Sequence, residues 1–144
     1  MRANRLPTLC NQRKWGKCIK QMQINFTRLN HVQLMMPPGA EATAREFYAG
    51  VLGLPEIPKP EVLRVQGGVW FQAADIELHL SAEAATVPTE RHPAFEITDA
   101  EDVRAYLRTH NVRTRDHDAV PGFSVRFSFY DPFGNRVELM ERSL

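Results

Sequence analysis

Cysteine is nearly missing from this 144-residue chain: the two that occur, Cys10 and Cys18, both lie near the start, and the remainder has none. Their spacing matches no zinc-knuckle or redox motif and no disulfide framework, so a reducing cytoplasm is the expected location. Also missing is any apolar run of about 18 residues, which excludes a membrane-spanning helix. A net charge of +1 singles out no particular partner. Acidic residues are absent from the first 40 positions, which carry Arg2, Arg5, Arg13, Lys14, Lys17, Lys20 and Arg28, while the rest holds 11 basic residues against 17 acidic ones. Residues 1–27 also lack apolar periodicity and the apolar core of a signal peptide. They read as a basic, disordered extension. A transit peptide would be Ser-rich and amphipathic, and a nucleic-acid arm would want more aromatic surface than Trp15 offers. No nucleic-acid or membrane partner is therefore expected.

What remains is 43% hydrophobic over the whole chain and has room for one domain, or for two very small modules sharing a core. Residues 29–35 alternate, with Val32 and Leu34 on one face and His31, Gln33 and Met35 on the other, which is the period of a half-buried strand. Pro37, Pro38 and Gly39 stop it. Ala44, Phe47, Tyr48 and Val51 follow at helical spacing, and Gly53 sits where a helix C-terminus wants it. Three extended runs, 62–66, 68–72 and 75–81, complete the first half. After a polar loop the order repeats: a strand at 93–98, a helix capped by Asp99 with Val103, Tyr106 and Leu107 on one stripe, and strands at 112–116, 123–130 and 135–141. Each half predicts strand, helix and three strands.

The repeat carries chemistry. His31 and Glu77 are 46 residues apart, as are His92 and Glu138, and the pairs are offset by 61. Ile76-Glu77-Leu78-His79 and Val137-Glu138-Leu139-Met140 read almost alike. Helices need an apolar sheet face beneath them, so Val32, Leu34, Leu78, Leu80, Val137 and Leu139 belong there, leaving His31, Glu77 and Glu138 on the opposite, polar face. His92 lies just ahead of its strand. Two imidazoles and two carboxylates suit a divalent first-row ion (Ni, Co, Zn, Mn or Fe), and the lack of thiolate argues against a structural zinc site. Such a site leaves coordination positions for water or substrate. His79 points the same way as Glu77 and competes with it as fourth ligand; the offset favours Glu77, because His79 matches Met140, and makes His79 a cavity residue or substitute ligand. Gln33 shares the face of His31. If Phe127 and Phe129 face the helix, Arg126 and Ser128 face the cavity, where an Arg suits an anionic or carbonyl-bearing small molecule. An ordinary exposed Arg is the alternative. His110 and His117 read as surface residues.

With these elements placed, residues 28–142 resemble the vicinal oxygen chelate superfamily, which contains glyoxalase I, fosfomycin resistance proteins, extradiol dioxygenases, methylmalonyl-CoA epimerase and bleomycin-binding proteins. The resemblance rests on Leu29-Asn30-His31-Val32, on Phe47-Tyr48 with Val51-Leu52-Gly53, on His92, and on Asp131-Pro132-Phe133-Gly134-Asn135-Arg136-Val137-Glu138. It implies an α+β fold of two βαβββ modules, about 28–81 and 92–142, forming a curved mixed sheet around a metal cavity with helices outside, commonly in a homodimer. By that similarity His31, His92 and Glu138 match the commonest metal-ligand positions, Glu77 matches the fourth used in glyoxalase I, and Glu77 or Glu138 is a candidate base. The implied activity is that of a lyase, isomerase or dioxygenase acting on a small substrate with adjacent oxygens. The alternative is a non-catalytic, drug-sequestering protein of the bleomycin-resistance type. The chain departs from individual families: Met35 and Ser81 stand where short bacterial glyoxalase I has Arg and Asn, and Gln33 stands where fosfomycin-modifying transferases have Thr.

Overall fold

A computed structural model describes residues 23–84 and 90–144. Cys10, Cys18 and nearly all of the basic extension lie outside the described residues. The alternation that opens the domain becomes strand β1 (His31–Met36), in which Leu34 and Met36 are buried and His31 is exposed. After the Pro-Pro-Gly stop comes a short helix, α1 (Glu41–Ala44), which widens into a π-helical stretch (Arg45–Val51) that turns both Phe47 and Tyr48 into the core. The wider turn is closed by the Leu52 amide donating to the Phe47 carbonyl at 2.9 Å, and the Leu54 amide reaches back to Tyr48 at 2.9 Å. Gly53 between them has φ +71°, the left-handed conformation that ends helices this way.

Strands β2 (Glu56–Ile57), β3 (Val69–Ala73) and β4 (Ile76–Ala82) complete the first module. The second contains β5 (Ala94–Glu96), α2 (Ala100–Thr109), β6 (Thr114–Asp116), β7 (Phe123–Tyr130) and β8 (Arg136–Arg142). Each module forms its own four-stranded mixed sheet, ordered β1-β4-β3-β2 and β5-β8-β7-β6. The first and last strand of each module run parallel and the other neighbours antiparallel. The α+β class and the tandem βαβββ order are as expected from the sequence.

Two local expectations are corrected. Residues 62–66 are not a strand but part of a 3-10 turn (Glu61–Gln66). Pro60 begins it, the Leu63 amide bonds the Pro60 carbonyl at 2.9 Å, and Val62 and Val65 are left 79% and 92% exposed. Their β-branched side chains look strand-like, but there is no sheet face for them to cover. Asp99 stands at the N-cap of α2 yet makes no side-chain cap; its φ is +56°. Instead the first helical amide, that of Ala100, donates to Glu141 Oε1 at 3.2 Å.

The helix-facing side is apolar as expected, with Leu34, Leu78, Leu80, Val137 and Leu139 buried beside Phe71, Phe127 and Phe129. Each fully buried side chain of this size contributes about 1.5–3 kcal/mol of transfer free energy. The modules share this core: the Phe47 and Phe129 rings lie 6.0 Å apart. Polar ties also join them, from Tyr48 to Asp131 (2.6 Å), from Asn135 to the Met35 backbone (2.7 and 3.3 Å) and from Tyr106 to the Val51 carbonyl (3.0 Å). An apolar hollow of about 410 Å³ lies on this helix side, lined by Leu52, Leu54, Phe95, Val103 and Leu139, and offers little to an oxygen-rich ligand. Among the described residues no helix is long and apolar enough to cross a membrane.

Candidate metal centre

In the first module the parallel register sets His31 directly opposite Glu77, and the antiparallel register sets Trp70 opposite His79. All four side chains share the polar face. The His31 Nδ1 lies 2.8 Å from Asn30 Oδ1, an acceptor, which puts the proton on Nδ1 and leaves the lone pair on Nε2. His79 is sandwiched, its ring 3.7 Å from Trp70 and 4.4 Å from His31, with interplanar angles of 4° and 14°. Its Nε2 donates to Glu77 Oε2 at 2.8 Å. The imidazole therefore turns its edge toward Glu77 and its faces toward two rings, while the Glu77 side chain stays 36% exposed.

The second module repeats the pairing with a difference in register. Glu138 lies opposite Ala94, so β5 is shifted by two residues relative to the first module. An even shift keeps every side chain on its original face. His92 thus precedes the strand, and it reaches Glu138 along it: Nε2 is 2.8 Å from Oε2, while Nδ1 is 2.6 Å from the Glu90 carbonyl. Arg126 brings Nε and Nη2 to the other oxygen, Oε1, both at 2.8 Å. Burial pushes the Glu138 carboxyl up, but the hydrogen bonds and charges of Arg126 and His92 outweigh it and hold the group below its ordinary value of 4.5. Phe127 and Phe129 are buried toward the helix side, and Arg126 and Ser128 lie on the opposite face of the strand. Gln33 is exposed at the edge, its side-chain amide 3.9 Å from the Met35 sulfur.

Four contributors escaped the sequence reading. Trp70 and Asn30 support the first module's imidazoles. In the second, His117 Nε2 meets the Ser128 hydroxyl at 2.8 Å, and Arg136 Nη2 donates to the same nitrogen at 3.2 Å. A guanidinium only donates, so that nitrogen accepts from both. Alternation alone could have found Arg136, which is two residues from Glu138 on one strand. His117 becomes legible only once its amide is seen to continue the β7 ladder through the Arg126 carbonyl (2.9 Å).

The donor chemistry fits a divalent ion. Each module offers one imidazole and one carboxylate, and each candidate histidine has its Nδ1 held by an oxygen, the outer-shell support that fixes a ligating tautomer. Among the described residues, however, no group of three or more His, Cys, Asp or Glu is placed to hold an ion. One chain supplies two separate pairs.

The sequence model of the Glyoxalase/Bleomycin resistance protein/Dioxygenase superfamily matches residues 28–139. The chain belongs to this superfamily. A glyoxalase family protein from Bacillus anthracis is similar at 38% identity and TM-score 0.79, with 85% of this chain and all of that one covered. A glyoxalase/dioxygenase from Nostoc punctiforme shares the fold at 19% identity and TM-score 0.71, covering 88% of this chain and 99% of that one. The fosfomycin resistance protein FosX from Listeria monocytogenes, in a complex with Mn(II) and 1S,2S-dihydroxypropylphosphonic acid, shares it at 19% identity and TM-score 0.68, covering 83% and 95%. No curated protein sequence matches significantly. The superfamily assignment covers the fold and leaves the individual activity open.

Proposed function

We propose that this superfamily member is a metal-dependent enzyme acting on a small substrate with neighbouring oxygen functions, as a lyase, isomerase or dioxygenase. His31 and Glu77 of one module would hold a divalent ion together with His92 and Glu138 of the other. The observation that carries this reading is the 2.8 Å meeting of His92 Nε2 and Glu138 Oε2, matched by the opposed His31 and Glu77 of the repeat. When bound, the ion would supply Lewis acidity to substrate oxygens.

The protein groups divide the remaining work unevenly. Glu138 is 2% exposed and Arg126 grips its Oε1, so it would serve as a fixed ligand through Oε2, the ion replacing the contact with His92. Glu77 is engaged by His79 through one oxygen and is the more accessible carboxylate, which makes it the stronger candidate base. Arg126, Ser128 and Gln33 line the polar face as substrate contacts, with His79 behind Glu77. Because a single chain presents two separate pairs, the complete site is proposed to form in a homodimer, the first module of one protomer facing the second module of its partner. A cytoplasmic location accords with the scarcity of cysteine.

A second reading has its own support. The closed Arg126-Glu138-His92 network satisfies the buried carboxylate without any metal, as a non-catalytic small-molecule binder would permit. Metal analysis separates the two. The enzyme reading expects about one equivalent of divalent ion per chain after loading with Ni, Co, Mn, Zn or Fe(II), and at least tenfold weaker binding in His92→Ala. Failure of the native protein to retain any of these ions decides for the binder.

A further inference from the structure

The first module contains a feature that the proposed ligand set does not require. Trp70, His79 and His31 form a continuous stack of three rings, nearly parallel throughout. The middle ring is 5% exposed, and its Nε2 is committed to Glu77. His79 therefore touches both metal-donor candidates of its module at once, His31 through its ring face and Glu77 through its edge. Trp70 backs the stack from β3, and the Lys59 ammonium lies 5.8 Å from the indole centroid.

We propose that His79 is a positioning residue that holds His31 and Glu77 in the mutual orientation a divalent ion needs, and is not itself a ligand. The inference rests on the metal-binding reading above. The second module has no equivalent ring, since Met140 occupies the matching position, and there Arg126 does the corresponding work by gripping Glu138. Each carboxylate thus has a nitrogen donor that fixes one of its oxygens, and the two modules reach this by different residues. A Phe would fill the slot between Trp70 and His31 equally well if packing were the only requirement, so a histidine there points to its N–H.

The test is Co(II) affinity, read by titration calorimetry and by the visible spectrum of the bound ion, with thermal unfolding as the folding control. His79→Ala removes stack and hydrogen bond together and should weaken Co(II) about 10–100-fold. His79→Phe keeps the stack and His79→Gln keeps a donor toward Glu77; each should recover part of the loss, and these two decide the matter if the alanine variant does not fold. Native affinity in both His79→Phe and His79→Gln would overturn the positioning role while leaving the metal site intact. Equal loss of the Co(II) spectrum in His79→Ala, His79→Phe and His79→Gln, with neither larger side chain recovering any affinity, would make the imidazole a ligand and overturn it too. Absence of Co(II) binding in the native protein would remove the metal reading itself, and the positioning role with it.

Discussion

Asp131 receives four hydrogen bonds: Oδ1 accepts from the amides of Phe133 and Asn135, and Oδ2 from the Tyr48 hydroxyl and the Asn135 side chain. One carboxylate shapes the β7–β8 turn and ties it to the first module's helix. Hydrogen bonds to a charged group are worth about 1.5–3 kcal/mol each, so Tyr48→Phe should lose roughly that much stability in urea unfolding. An unchanged midpoint would show the tie to be idle. The same pair makes a pH prediction. Burial, then the charge of Asp131 and the hydrogen bond to it, raise the Tyr48 phenol well above its ordinary value of 10.0. The native state then keeps a proton that the unfolded state gives up. The resulting stability is whole below 10.0 and is lost as pH rises toward the folded value, a loss that Tyr48→Phe should lessen. Where the chemistry repeats, the placement of single residues was legible: His31 and Glu77 on one sheet face and His92 ahead of its strand. Trp70, Asn30 and His117 were not, because their contributions arise from cross-strand or neighbouring contacts that strand periodicity leaves unspecified.

At the scale of elements, the close approach of β3 to β4 depends on Gly68. Its φ is +89°, and a Cβ there would lie 2.4 Å from the Leu80 carbonyl oxygen, which is backbone and cannot swing away. Its amide also donates to Glu41 Oε1 at 2.9 Å, joining the sheet to α1. Gly68→Ala should cost at least about 1–3 kcal/mol from backbone strain alone. Hydrogen exchange should show the opening concentrated in β3 and β4; protection at native levels would refute the packing argument. Strong alternation and the glycine stop made β1, α1, β4, β7 and β8 legible within a few residues. The 3-10 turn misled because Val62, Leu63 and Val65 have strand-type side chains. The true second strand, β2, is too short at two residues to have any periodicity.

For the whole molecule, the 46-residue interval is best understood as topology. A parallel pair needs a crossover connection, and each module spends that length on helix and hairpin before its last strand returns beside its first. The spacing was legible because the two crossovers are nearly equal, 46 residues from His31 to its partner Glu77 and 44 from Ala94 to its partner Glu138. The two-residue register shift of β5 was not, since even shifts leave every face unchanged. If the metal site spans two protomers, mixing His31→Ala with His92→Ala protein should restore binding at one of the two sites in the exchanged heterodimer. A site closed within one chain would recover nothing on mixing, which is the outcome that sinks the shared arrangement.

The outer edges of the two sheets end in β2, of two residues and followed by Pro58 and Pro60, and β6, of three. Borders this short, the first with prolines behind it, make poor templates for another strand. Among the described border strands the longest is β1, with His31 at its start and the Met35 backbone near its end already bonded to Asn135. Along the described borders, growth by strand addition is thereby discouraged except over the first residues of β1, beside the candidate metal donors, which leaves little from which a fibre could extend.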